Sequence, residues 1–458
     1  MIRAWRKSGI TTLGVVCFVG VLMLGSSEVA AFGGLGHIQV TAWAVENLPQ
    51  GELRAFLAQR ETFNSVLFGS AYPDIGYYPG HSDPQMHHAY GEYSHWSPFI
   101  SEFILWIKVN DPPPWTSEES KKRVAFLLGC AAHGFQDEVF DSLFLPKASY
   151  HDHQGQEAVD PGSDGFLVSD EFLASIPAVD APVETLVEMY NEAEISQGEL
   201  SEDELALALE TMQTWYIDER AGPALARMAL DMYGDQLPWT AEHYMDPGVP
   251  GSLHAEIFPV TRLIEQLWKE LNGELPDDDV LLFEYPESGR RLESPTPNNP
   301  GSWVSFLFGT GVKVDGLTIR WRDKSGGEVP FSRTGMTWGT PWTRVLRLMP
   351  TEALAAGATY SISLKGEVVL VSGRSVDLDY LFSFGVECDD ANRLDCVDDP
   401  EPLVARLDGM EAFVAEWGAS AEPERGCVGC SGSGVGPEWF LLLLGVWGRW
   451  FWKRRVAL

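Results

Sequence analysis

The chain has 458 residues, and its 66 Asp and Glu against 32 Lys and Arg give a formal net charge of −34 at pH 7. This length predicts more than one domain, and a hydrophobic content of 45% with 17 Trp indicates globular rather than disordered structure. The strong negative charge counts against a nucleic-acid partner, because a surface that follows phosphates carries Lys and Arg.

Residues 1–31 have the composition of a secretory signal peptide. They combine a basic start, an apolar run and small residues before an expected cleavage site at Phe32. We therefore expect an exported protein.

The C-terminal tail, residues 437–458, is hydrophobic and then basic. It follows a Gly-Cys motif and resembles the C-terminal sorting tails of bacterial surface proteins. Its apolar run is broken by Arg449 and is shorter than the roughly 20 residues of a spanning helix, which disfavours an independent transmembrane helix. The resemblance implies sorting or processing machinery as a partner, and a location at the cell surface, at the outer membrane or outside the cell. Alternatively, Cys427 and Cys430 form a disulfide or a metal pair.

The region 32–280 has mostly helical periodicity, which predicts an all-α domain. Two helix starts are predicted from capping boxes, in which Ser or Thr precedes Glu by three residues: Thr116 with Glu119, and Ser201 with Glu204. The first of these helices is predicted to end before Pro146. A further helix is predicted to close at Gly273.

Residues 281–387 change to short β-rich runs separated by Gly and Pro, which predicts a β-sandwich. The predicted strands are WVSFLFG, LTIRWRD, RVLRLMP, TYSISLKG, VVLVSG and YLFSFGV. Their order resembles bacterial immunoglobulin-like domains that stand beside enzymes on cell surfaces. Residues 388–436 are acidic and are interpreted as a linker. The predicted fold class is therefore multidomain, with an all-α domain followed by an immunoglobulin-like β-sandwich.

The strongest chemical signal is an HGFQD motif inside an apolar helix. His133, Asp137 and Asp141 recur every four residues, so they share one helix face. The residues on the opposite face are apolar as well, which indicates that both sides of the helix are buried. Burying an imidazole and two carboxylates is costly unless a charge compensates them, and a divalent metal ion does so.

Further nitrogen and oxygen donors lie upstream of this helix. His37 begins an amphipathic helix, Asp74 follows Pro73 in a turn, and His88 and His95 lie in a histidine-rich segment. Histidines clustered with helix-aligned carboxylates are typical of a site that binds several metal ions.

These blocks together resemble the zinc-dependent phospholipase C/D family, most closely the catalytic domain of its glycosylphosphatidylinositol-specific phospholipase D members. The resemblance rests on GLGHIQV, AYPDIGYYP, SHWSPF, the PPPW turn and the VAFLLG-x3-H-x3-D helix in the same order. It implies an all-α fold like that of phospholipase C and P1 nuclease, two or three Zn²⁺ ions, and a phospholipid or glycosylated phosphoinositide substrate at a membrane surface. The family's ligand positions fall on these residues: His37, Asp74, His88 or His95, His133 and Asp137. Asp137 would bridge two ions, and Asp74 is the candidate general base or a further ligand.

The sequence departs from the family at the third metal position. The resemblance leads us to expect histidines there, but Asp141 and Asp160 occupy those places, with Asp164 as the final acid. Three carboxylates make a harder site, which could favour Ca²⁺ or Mg²⁺ over Zn²⁺. Alternatively, His153 and Glu157 supply these ligands, because their spacing also suits the family.

The predicted function is therefore an exported, metal-dependent hydrolase of phosphoric diesters that cleaves phospholipid head groups. Two alternatives stay open at this point. The first is a nuclease-type phosphodiesterase on the same scaffold, which the acidic charge disfavours. The second is a non-catalytic, metal-stabilised surface protein, which the altered third site favours.

Overall fold

The computed structural model describes residues 34–77, 84–170, 172–173, 177–193, 199–214, 223–274, 280–335 and 340–387. The predicted signal peptide, acidic linker and sorting tail lie outside the described residues. Chain contacts divide the molecule into Met1–Met410 and Glu411–Leu458, so every described residue belongs to the first unit. Within the described ranges, no helix has both the length and the apolarity needed to cross a membrane.

The described part of the chain before residue 275 is helical. Its α-helices are α1 (Gly34–Asn47), α2 (Glu52–Leu57), α3 (Arg60–Gly69), α4 (Pro84–His95), α5 (Ser97–Asn110), α6 (Glu118–Val139), α7 (Leu145–Asp152), α8 (Gln156–Ser169), α9 (Val183–Glu192), α10 (Glu202–Met212), α11 (Pro223–Tyr233), α12 (Pro238–His243) and α13 (Leu253–Leu271). Short 3₁₀ helices span Tyr72–Tyr77 and Gly234–Gln236, and a π-helix spans Phe140–Phe144.

Helix α6 forms the centre of the helical region, and it is buried from Val124 to Val139. Its N-cap is Ser117, whose hydroxyl accepts a hydrogen bond from Ser120 N at 3.0 Å, so the predicted cap at Thr116 was wrong by one residue. The predicted end before Pro146 was also wrong. The chain passes through the π-helix directly into α7, because a proline in the first turn of a helix removes no intrahelical hydrogen bond.

The other helix limits predicted from caps are confirmed. Ser201 and Glu204 form a reciprocal capping box at the start of α10. Helix α13 begins after Ser252, whose hydroxyl accepts from Ala255 N at 3.2 Å. It ends just before Gly273, which has a φ of 73° that glycine adopts without strain.

The described residues from 281 to 387 form one eight-stranded sheet. Its strands are β1 (Leu281–Tyr285), β2 (Arg291–Leu292), β3 (Val304–Lys313), β4 (Leu317–Asp323), β5 (Phe331–Gly335), β6 (Thr343–Pro350), β7 (Thr359–Leu370) and β8 (Ser375–Val386). Strands β1, β3, β6 and β5 pair in one part of the sheet, and β4, β7, β8 and β2 pair in another. The ends of β3 and β7 join the two parts through Val312 and Leu370.

Aromatic side chains link the two parts of the sheet. Phe306 of β3 contacts Phe382 of β8 edge to face at 5.4 Å, and Trp321 of β4 lies 6.1 Å from Phe331 of β5. The described residues therefore contain a helical region followed by a mainly antiparallel β region. The immunoglobulin-like assignment of that β region stays a prediction.

Strand β7 differs from the prediction of two short strands, TYSISLKG and VVLVSG. The two runs form one strand of twelve residues, in which Gly366 has a φ of 126°. A Cβ at this position would lie 2.5 Å from the carbonyl oxygen of Gly316. The glycine therefore permits a close approach between β4 and β7 and does not end the strand.

Polar contacts join the sheet to the C-terminal half of α6. The backbone N–H of Arg344 donates to Glu138 Oε2 at 2.8 Å, and Arg344 Nε donates to Ser97 Oγ at 3.0 Å. Arg347 Nη2 donates to the carbonyl oxygen of Ser142 inside the π-helix. The β region thus supports the helix that carries HGFQD.

Candidate metal centre

Two glycines allow α3 and α6 to pack in backbone contact. A Cβ on Gly129 would lie 2.1 Å from the carbonyl oxygen of Val66, and a Cβ on Gly69 would lie 2.3 Å from that of Phe126. No residue larger than glycine fits at these positions without moving a helix. The close packing brings the last turn of α3 next to His133.

Backbone carbonyls orient two of the buried histidines. His133 Nδ1 donates to the carbonyl oxygen of Ser70 at 2.7 Å, and His95 Nδ1 donates to the carbonyl oxygen of Gly91 one turn earlier in α4. In both rings the Nδ1 position is therefore protonated. The Nε2 atom is left with its lone pair, as in metal-binding histidines.

A side chain of α6 orients the third histidine. His37 Nδ1 lies 3.1 Å from Gln136 Oε1, and Gln136 Nε2 donates to Thr41 Oγ1 at 2.9 Å. Because the amide NH₂ is committed to Thr41, its oxygen faces the ring and accepts from Nδ1. His37 is fully buried, and its Nε2 is directed in the same way as those of the other two histidines.

The three Nε2 atoms converge on two carboxylates. His37 Nε2 lies 3.0 Å from Asp137 Oδ1, and His133 Nε2 lies 3.2 Å from Asp137 Oδ2. His95 Nε2 lies 3.5 Å from Asp137 Oδ2 and 3.3 Å from Asp74 Oδ1. Asp74 Oδ1 is also 3.8 Å from His133 Nε2. Asp137 therefore presents one oxygen to His37 and the other to His95 and His133.

Ligand atoms close enough to share a metal ion form two groups. One group is His37, His133 and Asp137, the other is Asp74, His95 and His133, and in each the ligand atoms lie within 4.8 Å of one another. His133 Nε2 has no aligned hydrogen bond among the described residues, although carboxylate oxygens lie close to it. Buried nitrogen and oxygen donors this close together, of which His133 Nε2 and Asp137 Oδ1 have no aligned hydrogen bond among the described residues, fit a bound cation, and this donor set suits Zn²⁺.

The charges in the centre act differently on the individual ligands. Burial raises the pKa of Asp137, but its interactions with His133 and His37 outweigh burial and hold that pKa well below its usual range. Burial lowers the pKa of His133, which favours the neutral ring. For His95, burial also lowers the pKa, but the hydrogen bond to Asp74 and the charges of Asp137 and Asp74 raise it to about 9. A metal ion must therefore displace a proton from His95.

Three more carboxylates that the sequence predicts as ligands are buried beside this centre. Asp164 Oδ1 accepts a hydrogen bond from Gly36 N at 3.2 Å, next to His37. Three carboxylate oxygens have no hydrogen-bond partner in the part of the chain that the structure describes: both oxygens of Asp141 and Oδ1 of Asp160. Burial and the charge of Asp137 raise the pKa values of Asp141 and Asp160 well above their usual range. No third group of ligand atoms within 4.8 Å occurs among the described residues.

The remaining predicted ligands are not brought into these groups. His153 is the exposed C-cap of α7 with a φ of 57°, and Glu157 is exposed in the first turn of α8. Of the two alternatives in α4, His95 is in the centre; the side chain of His88 lies outside the described residues. These assignments stay predictions, with the geometry favouring His95 over His88 and the three aspartates over His153 and Glu157.

Sequence reasoning missed the groups that support the ligands. The carbonyl of Ser70 has no sequence signal, because every residue has a carbonyl. Gln136 lies on a helix that is buried on all sides, and a buried amide normally has a hydrogen-bond partner, so its position in the sequence was a signal of such a partner. Glu256 is an acid on a stripe that continues with apolar residues, and this pattern could have been recognised: Val260, Leu263, Ile264 and Leu267.

The fold and the centre together define a helical protein region whose buried histidines and aspartates are able to hold metal ions. Residues 36–140 match the sequence profile of a family described as zinc dependent phospholipase C. This segment contains the five residues of the two close groups, and it confirms the resemblance to the zinc-dependent phospholipase family.

Part of the chain is similar to known phospholipases. Phosphatidylinositol-glycan-specific phospholipase D from Bos taurus is 31% identical over 112 residues, which are 23% of this chain and 13% of the relative. The Homo sapiens protein of the same name is 35% identical over 111 residues, 24% of this chain and 13% of the relative. The matched part is thus a small fraction of each relative.

Two solved structures show limited likeness to the chain. CopC from Methylosinus trichosporium OB3b is 22% identical, covers 24% of this chain and 95% of its own, and has a TM-score of 0.19. The N-terminal part of the bacterial S-layer protein SbsC is 10% identical, covers 74% of this chain and 79% of its own, and also has a TM-score of 0.19. We draw nothing about fold or function from these two likenesses.

Proposed function

We propose that the chain is an exported, metal-dependent phosphodiesterase that hydrolyses phospholipid head groups, with a phospholipid or a glycosylated phosphoinositide as substrate at a membrane surface. The observation that carries this proposal is the convergence of three oriented Nε2 atoms on two buried carboxylates. The family match and the phospholipase D relatives support a lipid phosphodiester as the substrate class.

The distances suggest how the ligands are divided between two zinc ions. The Nδ1 of His133 is occupied by Ser70, so its Nε2 serves one ion only. We assign His133, His95 and Asp74 to one ion and His37 to the other. Asp137 bridges them, because its two oxygens face the two sides.

A third ion belongs to this proposal, held by Asp141, Asp160 and Asp164 together with the bridging Asp137. Burial raises the pKa values of Asp141 and Asp160, and repulsion by neighbouring carboxylates, Asp137 in both cases, raises them further. A cation would remove that repulsion.

Bound zinc ions supply Lewis acidity to phosphoryl oxygens and lower the pKa of a coordinated water towards about 7. The chain's contribution is to fix the ligands before the substrate arrives, through the partners of each Nδ1. Asp74 is ionised, because the charge of His133 and the hydrogen bond of His95 outweigh its burial and lower its pKa. It is therefore both a ligand and the candidate acceptor of a proton.

The test is product analysis with the full chain and mixed phospholipid vesicles. The protein is stripped with a chelator, and one half is restored with Zn²⁺. Diacylglycerol or phosphatidic acid formed only after zinc addition would support the hydrolase, and the product would identify the bond that is cleaved.

Matched variants make the result specific. Asp137→Asn should reduce turnover to background. An amide has one oxygen, so it cannot give one oxygen to each of two ions as a carboxylate does. Asp379→Asn, an equivalent change at an exposed position on β8, should leave turnover unchanged. Full turnover by Asp137→Asn, or no product from a folded protein that binds zinc, would contradict the proposal. Faster cleavage of single-stranded oligonucleotides than of lipid would favour the nuclease alternative.

A further inference from the structure

A carboxyl group from outside the family-matched segment is buried near Asp137 and Asp141, two of the carboxylates proposed for the third metal position. Glu256 is in the first turn of α13, its side chain has no solvent exposure, and neither of its oxygens has a hydrogen-bond partner among the described residues. A buried carboxyl without any partner is costly, and such groups in folded proteins usually have a ligand.

Two carboxylates, one on α6 and one in the π-helix, act on Glu256. Burial raises its pKa well above the usual range, and the charges of Asp137 and Asp141 raise it further. The Glu256 carboxyl is therefore close enough to these two carboxylates for their negative charges to act on it.

Protonation alone does not account for this arrangement. A neutral carboxyl still has an O–H donor and a carbonyl acceptor that need partners in a dry interior. Asp141 is in the same condition, since both of its oxygens are buried and without a hydrogen bond. Two partnerless carboxyls on separate helices that repel each other are both explained by one cation between them.

The donors at this position are all oxygens. Asp141, Asp160 and Asp164 come from the π-helix and α8, and Glu256 adds a fourth carboxyl from α13. Histidine nitrogens favour Zn²⁺, whereas a set of carboxylate oxygens favours Ca²⁺, Mg²⁺ or Mn²⁺. The excess of negative charge also favours a cation that accepts several carboxylates.

We propose that Glu256 is a ligand of the third metal ion, and that with Asp141, Asp160 and Asp164 it makes this position an oxygen-only site for a hard divalent cation. The family-matched zinc ligands and this site then share only Asp137. The inference rests on the proposed function for the third ion and for the bridging Asp137, and it assigns a role to a helix that lies outside the match to residues 36–140.

The test is metal binding by the full chain, measured separately from activity. The chain is stripped with a chelator and reloaded with Zn²⁺ until uptake ends. It is then titrated with Mn²⁺ and with Ca²⁺ in a calorimeter, and metal per chain is counted by mass spectrometry. We expect one hard cation per chain beyond the zinc ions.

Glu256→Gln removes the charge and keeps the size of the side chain. We expect it to weaken Mn²⁺ and Ca²⁺ binding by at least about tenfold and leave the zinc ions in place. Glu256→Asp, which keeps the charge on a shorter side chain, should bind with intermediate affinity and serves if the glutamine variant does not fold. Glu270→Gln, on the same helix at a partly exposed ion pair with Lys108, should bind like the wild type.

Thermal unfolding with and without Mn²⁺ separates a ligand from a merely structural residue. A ligand role predicts that Glu256→Gln removes the stabilisation by Mn²⁺ and leaves the metal-free protein at least as stable as the wild type, because a repulsive charge is lost. Equal Mn²⁺ affinity in the wild type and Glu256→Gln, or a third equivalent of zinc with no hard cation, would overturn the inference. If the chain hydrolyses lipid but takes up no third ion, this site is refuted and the proposed hydrolase is kept. If the chain takes up a third ion but hydrolyses no lipid, the hydrolase is refuted and the site is kept.

Discussion

The contact between α3 and α6 provides a test of the metal centre that alters no ligand. In Gly129→Ala the new Cβ would lie 2.1 Å from the carbonyl oxygen of Val66 and 2.7 Å from the backbone nitrogen of Ser70. A carbon and a carbonyl oxygen in contact are about 3.3 Å apart. The two helices would therefore have to separate by about 1 Å, and overpacking of this kind costs about 1–3 kcal/mol of unfolding free energy.

The same displacement would act on the histidine that α3 orients. The carbonyl of Ser70 accepts from His133 Nδ1 at 2.7 Å. A separation of about 1 Å would take this contact beyond hydrogen-bonding distance. Because loss of an outer partner of a zinc ligand lowers affinity by about 10–100-fold, Gly129→Ala should weaken zinc binding by a factor in that range.

The assay is competition for zinc with a chromophoric chelator, together with urea unfolding of the metal-free chain. Gly234→Ala is the control, because its Cβ would have only Leu230 within reach, at 3.9 Å. It should bind zinc as the wild type does. Wild-type zinc affinity in Gly129→Ala, with stability reduced as expected, would refute the argument that helix packing sets the orientation of His133.

Three further predictions address the partners of the ligands. Gln136→Leu removes the acceptor of His37 and should lower zinc affinity by about 10–100-fold in a chelator competition, whereas Gln136→Glu should retain most of it. In urea unfolding, the metal-free chain should lose stability as the pH rises from the ordinary pKa of histidine through about 9. The reason is that His95, whose pKa is raised in the folded chain, stabilises the fold only while its ring is protonated, and zinc should suppress this loss. Arg344→Met should cost about 3–5 kcal/mol in urea unfolding by leaving Glu138 buried without its cation, and Glu138→Gln in the same chain should recover part of that cost.

The ligands on local elements could be predicted from the sequence. His133 and Asp137 are one helical turn apart, so the helix alone places them together. Short motifs in a fixed order indicated Asp74 and left His95 open against His88, and both Asp74 and His95 lie in the centre. Local spacing and ordered motifs were sufficient where each element contributes its ligand in a fixed orientation.

The rest of the site depends on which elements pack against each other. Glu256, the further ligand proposed here, lies on a helix more than a hundred residues after Asp137, and no local pattern connects the two residues. The carbonyl of Ser70 is available to His133 only because glycines let α3 and α6 touch. The sheet contacts of Arg344 likewise depend on how the β region docks onto α6.

The π-helix explains why the β region and the metal centre form one structural unit. The family match ends at residue 140, where the π-helix begins, and Asp141 is its second residue. A π-helix is less favourable than an α-helix, and π-helical turns are often found at functional sites. Here Arg347 of β6 donates to the carbonyl of Ser142 and stacks on Trp303, so the sheet stabilises this segment directly. The sheet therefore helps to hold Asp141, the carboxylate at which the third position departs from the family, in the conformation proposed to bind a hard cation.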